Sequence, residues 1–157
     1  LYQIISQRPD YSFVFTGPED DIFRRNRIHS LKNAYFTGQK KVDELPAYIA
    51  AYDVCINPQM VNEITDGNYP LKIDEYLAMG KPTVATSTHT MRNIFAGHTH
   101  LAINPEEWLA AIDRAVTEAD DKELAKQRIA FAETHSWGHS VKKIYEIIDS
   151  FLKKKTT

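Results

Sequence analysis

At 157 residues the chain is long enough for one domain with a real core, and its 43% hydrophobic and 25% charged residues are those of an ordinary globular protein. Lys and Arg total 19 against 21 Asp and Glu; the resulting formal net charge of −2 argues against a dedicated nucleic-acid binder, since phosphate affinity needs clustered cations. No apolar stretch approaches a transmembrane helix, no signal-peptide pattern is present, and the lone cysteine, Cys55, excludes an internal disulfide and suits a reducing, cytoplasmic compartment.

Leu1 to Arg8 carries helical spacing from its first residue with no cap before it, so the chain is expected to begin inside a helix and to lack something upstream. Pro9-Asp10 predicts a turn, and Tyr11 to Thr16 a strand that ends at Gly17-Pro18. Asp20 and Asp21 predict the cap of a helix bearing Ile22, Phe23, Ile28 and Leu31. Ala34 to Thr37 is the second strand, closed by Gly38; Asp43-Glu44 then opens a helix with Leu45, Ile49 and Tyr52 on one face. Asp53 to Asn57, broken by Pro58, is the third strand, within which Cys55 reads as a small core hydrophobe rather than a nucleophile. Residues 59–69 are polar and show no clear period. A helix is predicted over 70–79: Pro70 suits its first turn, Gly80 stops it, and Pro82 opens the strand Thr83 to Thr86. A short fifth strand is expected near His100 to Ile103.

The last third is helical. Asn104-Pro105-Glu106-Glu107 combines a cap, a first-turn proline and two acids at the positive end of the dipole, ahead of the stripe Trp108, Leu109, Ile112 and Val116. Ser136-Trp137 starts a final helix with Val141, Ile144, Tyr145, Ile148, Phe151 and Leu152 at helical spacing, and part of the Ile144–Ile148–Phe151 face is expected to be exposed, shaped for a missing domain. The basic run Lys153 to Lys155 reads as a solvated tail. Short apolar strands alternating with helices predict a Rossmann-like, three-layer α/β fold, a parallel sheet with helices on both faces, forming one domain over 1–157. Right-handed crossovers gather Gly17, Gly38, residues 58–69 and residues 86–90 at one edge, where open α/β sheets bind ligands.

The helix over 70–79 carries the chemistry. Lys72 and Glu75 are three apart and share one edge of its first two turns, beside unpaired N–H groups and the positive end of the dipole. A phosphate with an adjoining polyol is the ligand such a constellation could hold; a solvated ion pair is the plainer reading. Ile73, Tyr76 and Leu77 are expected to face the core. Neither Gly-x-Gly-x-x-Gly nor Gly-x-x-x-x-Gly-Lys-[Ser/Thr] is present, which removes the usual dinucleotide and P-loop sites. His98-Thr99-His100 lacks a third ligand at metal spacing, and Ser87 and Ser140 lack the turn motif of a hydrolase nucleophile. Gly17 and Gly38 read equally well as turn glycines with positive φ.

Four segments come in a recognisable order: Pro-Asp-Tyr-Ser-Phe-Val-Phe-Thr-Gly-Pro at 9–18, Ala-Tyr-Phe-Thr-Gly at 34–38, Glu-Leu-Pro-Ala-Tyr-Ile-Ala-Ala-Tyr-Asp-Val-Cys-Ile-Asn-Pro at 44–58, and Glu-Tyr-Leu-Ala-Met-Gly-Lys-Pro at 75–82. Together they resemble the C-terminal, donor-binding domain of retaining two-domain nucleotide-sugar glycosyltransferases, the group 1 or family 4 enzymes of GT-B fold, over about residues 1–152. The resemblance implies a hexosyl-type transferase half whose N-terminal acceptor domain is absent, inactive by itself, with no confidently assigned catalytic residue here and no cofactor or metal. It implies that Glu75 accepts hydrogen bonds from the nucleotide's ribose, that the Leu71 and Lys72 N–H groups meet the donor diphosphate at the helix start, and that Asn68 and Tyr69 belong to the same donor site. It places Gly17 and the turn from Gly38 to Lys41 around the nucleobase. Gly67 stands where the family's first motif glutamate would touch the transferred sugar, and Pro70 replaces a glycine. The implied partners are a nucleotide-sugar and the acceptor domain, with peripheral membrane association of the full-length enzyme left open and no nucleic acid. A nucleotide-sugar epimerase half, or a non-enzymatic flavodoxin-like receiver or interaction domain, are the alternatives; the latter needs an acidic cluster that Asp20-Asp21 alone does not make.

Overall fold

Five short strands alternate with helices along the chain, as their apolar runs and turn residues dictate. The structure, a computed structural model, describes the backbone of residues 1–155 and the side chains of 1–153. The strands are β1 (Phe13–Thr16), β2 (Ala34–Gly38), β3 (Cys55–Asn57), β4 (Thr83–Thr86) and β5 (His100–Ala102). The helices are α1 (Tyr2–Ser6), α2 (Asp21–Arg24), α3 (Leu45–Ala51), α4 (Glu63–Asp66), α5 (Leu71–Ala78), α6 (Pro105–Thr117), α7 (Lys122–Glu133) and α8 (Trp137–Lys155). A 3₁₀ turn at Arg27–Ser30 and a π-helical turn at Met91–Phe95 complete the set.

Every strand pairing is parallel. The strands form two sheets rather than the single one expected: β1 pairs with β2, and β4 lies between β3 and β5. Side chains alternate across the three-stranded sheet. Val84 and Ala102 enter one apolar cluster, with Ile4 and Ile5 of α1, Phe13, Ile28 and the Trp108, Ala111, Ile112 and Ala115 stripe of α6. Ala85 and Leu101 turn the other way, towards Ile73 and Leu77 of α5, Met91 and Phe95 of the π turn, and Phe131 and Ala132 of α7. The result is the three-layer α/β/α arrangement that the sequence implies, with β4 wholly buried.

Local chemistry sets the element ends. Asp20, Asn62, Asn104 and Asp121 each accept a backbone N–H of the helix they precede, capping α2, α4, α6 and α7. Helix α5 ends in a Schellman motif, with the Gly80 N–H donating to the Leu77 carbonyl at 2.8 Å and the Lys81 N–H to the Tyr76 carbonyl at 3.0 Å. Gly80 takes φ of +71°, and a Cβ there would meet the Ala125 Cβ at 3.1 Å, so both conformation and the close approach of α7 require glycine.

Three local expectations are corrected. The predicted helix after Asp20 is a four-residue α2 followed by the separate 3₁₀ turn, because Asn26 caps Ile28 and restarts the chain. Residues 59–69 contain α4, closed by a reciprocal capping box between Asn62 and Thr65. The helical third also includes α7, which opens at the Asp121 cap between the two expected helices. The exposed face of α8 matches expectation: Ile144, Ile148 and Phe151 are 56%, 46% and 61% exposed. In the basic run, the side chains of Lys154 and Lys155 lie outside the described residues.

Candidate functional site

The loops that leave β3 and β4 are tied together at the C-terminal edge of their sheet. Thr86, the last residue of β4, accepts the Gln59 N–H at 2.8 Å and donates to the Gln59 carbonyl at 3.0 Å. One step further, Asp66 at the end of α4 accepts the His89 N–H at 2.7 Å. These contacts fix the chain that delivers Tyr69 and Pro70 to the mouth of α5.

That mouth is open. Pro70 is the N-cap of α5 and supplies no side-chain cap, in contrast to the residues that precede α2, α4, α6 and α7. The Leu71 and Lys72 N–H groups precede the first intrahelical bond, which runs from the Ile73 N–H to the Pro70 carbonyl at 2.9 Å. Lys72 and Glu75 are both exposed, and among the described residues neither forms a hydrogen bond or ion pair, with each other or with another side chain. The solvated Lys72–Glu75 pair is therefore not formed. Ile73 and Leu77 are fully buried and Tyr76 packs beside them, as their spacing requires. Burial, and then the charge on neighbouring groups, pushes the Tyr76 hydroxyl up to about 12.

Asp74 has a role the sequence does not announce. Its carboxylate accepts the Tyr69 hydroxyl at 2.6 Å on one oxygen and His135 Nδ1–H at 2.8 Å on the other. His135 lies 61 positions away, between α7 and α8, and its ring stands edge-on to Phe95 and Phe131. Asp74 thus latches the loop before α5 to the α7–α8 junction. Burial, followed by the bond to Asp74, raises the Tyr69 phenol well above its ordinary range, so it stays a proton donor at any neutral pH. No periodicity reveals such a pair, because 61 positions separate its members in the chain.

The remaining predicted residues fall into two groups. Gly17 and Gly38 close β1 and β2, and the Gly17 N–H donates to the Gly38 carbonyl at 3.1 Å, with φ of +150° and +70°. Lys41 follows, its side chain exposed and its backbone N–H donating to Glu44. Asn68, Tyr69, Leu71, Lys72 and Glu75 belong to the other sheet, around α5. A pocket of about 300 Å³ at the edge of that sheet is lined by Pro58, Gln59, Thr86, Ile103 and Trp108 together with Leu1 and Ile4, and by none of the predicted donor residues. His98 and His100, weighed as metal ligands, have other partners: His98 stacks on Phe131 at 3.9 Å and His100 pairs with Glu118 at 2.9 Å. Burial, with His135 and Arg128 nearby, lowers the His98 pKa and favours the neutral ring.

The arrangement is an open helix mouth with a cation and a carboxylate on one turn, set above a parallel sheet. The profile of the family described as glycosyl transferases group 1 fits residues 1–118. The chain belongs to the group 1 glycosyl transferases. It is also 28% identical over 137 residues to TuaH of Bacillus subtilis (strain 168), named provisionally as a teichuronic acid biosynthesis glycosyltransferase. That match covers 83% of this chain and 34% of TuaH, so the chain spans about a third of the length of this relative. Among the described residues no helix of this group 1 member is long and apolar enough to cross a membrane.

Proposed function

We propose that this chain supplies the donor site of a retaining glycosyltransferase of GT-B architecture, as the C-terminal half of a two-domain enzyme that transfers a hexosyl group from a nucleotide-sugar. Membership of the group 1 family and the likeness to TuaH support glycosyl transfer in general. The observation that carries the donor assignment is the uncapped mouth of α5 with Glu75 unpartnered one turn in.

In this reading the diphosphate sits at the Leu71 and Lys72 N–H groups, where aligned peptide dipoles and the Lys72 ammonium oppose its charge. The Glu75 carboxylate offers two coplanar acceptors to the vicinal hydroxyls of the ribose. When the sugar departs, negative charge grows on the diphosphate, and the same donors stabilise it more strongly than in the ground state. No metal enters this scheme. Asn68 and Tyr69 shape the approach to the helix mouth; Gly17, Gly38 and Lys41 leave room for the base on the neighbouring sheet. The acceptor, its activating groups and the full reaction belong to the other half of the enzyme, so the chain alone binds a nucleotide weakly and transfers nothing.

Titration calorimetry with UDP, GDP and ADP tests the assignment. One of the three is expected to bind best, and Glu75→Ala to weaken it by tenfold or more, the value of one charge-assisted hydrogen bond of about 1.5–3 kcal/mol. Lys72→Met should weaken the nucleoside diphosphate more than the corresponding monophosphate. Equal affinity of wild type and Glu75→Ala would remove Glu75 from the site.

A further inference from the structure

Acidic residues in the first turn of a helix meet different fates in this chain. Glu107 of α6 turns back on its own helix start, where its carboxylate accepts the Ile103 N–H at 2.7 Å and the Asn104 side-chain amide at 2.8 Å. A carboxylate is stabilised there by unpaired N–H groups and by the positive end of the dipole. Asp74, in the first turn of α5, forgoes both. Its oxygens are held by the Tyr69 hydroxyl and by His135 Nδ1–H, groups that lie outside α5. Among the described residues, no side chain accepts the Leu71 or Lys72 N–H.

The core, not the helix, sets the two donors. The His135 ring stands edge-on to Phe131 at 4.5 Å and to Phe95 at 5.7 Å, and Phe131 is stacked in turn on His98. The Tyr69 ring packs on the same Phe95 at 5.5 Å, and Phe95 is fully buried. Rings on one buried phenylalanine thus carry both donors to one carboxylate, and the Tyr69 hydroxyl lies 3.3 Å from His135 Nδ1 to close the triangle. Helix α5 loses the self-capping that α6 enjoys, and two N–H groups at its mouth stay open as a result.

We infer that His135 is a positioning residue of the donor site: by holding Asp74 it keeps a first-turn carboxylate from filling the mouth of α5, and so leaves the Leu71 and Lys72 N–H groups to a diphosphate. The ligand rests on the donor reading above; the open mouth rests on the hydrogen bonds alone. Without the His135 N–H, one oxygen of Asp74 is released, and the carboxylate turns to the N–H groups of its own turn as Glu107 does in α6. It then opposes a diphosphate twice, as an acceptor already in place and as a like charge at short range. His135 acts on the ligand only through Asp74.

Two substitutions separate the ring from its N–H. His135→Phe keeps a ring against Phe95 and Phe131 and removes the donor; His135→Asn keeps a donor and removes the ring. Exchange of the Leu71 and Lys72 amides, followed by NMR in the ligand-free chain, is expected to slow about threefold or more in His135→Phe, as Asp74 covers them. Wild-type rates are expected in His135→Asn and in His135→Phe combined with Asp74→Ala. In calorimetry, whichever of UDP, GDP and ADP binds wild type best should weaken about fivefold in His135→Phe and recover in the double variant. The matching nucleoside, which lacks phosphates, should bind all four proteins alike. A residue that only supports the fold predicts the opposite, since the second substitution would add to the damage. Unchanged amide exchange in His135→Phe, or a double variant that binds diphosphate no better than His135→Phe, would overturn the inference. Wild type that binds none of the three nucleotides, with the exchange pattern as expected, would refute the donor reading and support the role of His135 in holding the mouth open.

Discussion

Removing Asp74 should unfasten the mouth of α5, and the size of the effect follows from its two bonds. The carboxylate accepts the Tyr69 hydroxyl at 2.6 Å and His135 Nδ1–H at 2.8 Å, with Asp74 and His135 side chains 20% and 22% exposed. Hydrogen bonds to a charged group contribute about 1.5–3 kcal/mol each, and this degree of solvent contact sets the lower end. Asp74→Ala is therefore expected to cost about 3 kcal/mol, Tyr69→Phe about 1 kcal/mol and His135→Ala between them. The stronger claim is coupling: in a cycle of Asp74→Ala, His135→Ala and the double variant, the pair should show about 1 kcal/mol or more of interaction energy. Urea denaturation midpoints at neutral pH supply the four free energies. Hydrogen exchange should quicken across residues 59–70 in Asp74→Ala, since the loop loses its tie to the α7–α8 junction. A single-variant effect below about 0.5 kcal/mol, or an additive cycle, would show that the latch is an incidental contact.

Other outcomes follow from the same structure. Gly80→Ala should destabilise by about 2 kcal/mol in a thermal or urea melt, since it combines a positive φ with a 3.1 Å approach to Ala125; an unchanged melt would mean that α7 yields freely. Burial pushes the Cys55 thiol up from 9.0 to about 12, so its stabilisation is complete below pH 9 and is lost as pH climbs towards 12, by roughly 1 kcal/mol between pH 9 and 10. Urea midpoints at pH 8, 9.5 and 10.5 should fall more steeply for wild type than for Cys55→Ala, and parallel slopes would refute this origin. Glu75→Ala should leave stability within about 0.5 kcal/mol while weakening nucleotide binding, because Glu75 holds nothing in the folded chain. A large loss of stability would make Glu75 structural.

The legible parts of the sequence were those governed by local chemistry. Asn104-Pro105 fixed the start of α6, Gly80 the end of α5, and the apolar runs after Pro9, Lys32 and Pro82 the strands, because caps, breakers and burial act within a few residues. Helix α7 was obscured by Arg128, a buried cation in the middle of its inward stripe, held by Glu118 and by the Gly80 carbonyl at 3.4 Å. Helix α4 and the π turn are four and five residues long, too short for a period to register. The division of the strands into two sheets depends on neighbours distant in the chain, which alternation cannot express. That Lys72 and Glu75 share one turn was legible because i, i+3 spacing is local; the Asp74–His135 bond was not, because it joins α5 to the α7–α8 junction, brought together only by the core.

Helix α5 is fastened at both extremities, by Asp74 to His135 near its first turn and by the Gly80 carbonyl to Arg128 at its last. It behaves as a strut, and Glu75 rides on a rigid beam instead of a swinging arm. The position of its Cα is settled while the chain folds, so a guest arriving at that surface has only the rotamers of one side chain to order, and no loop.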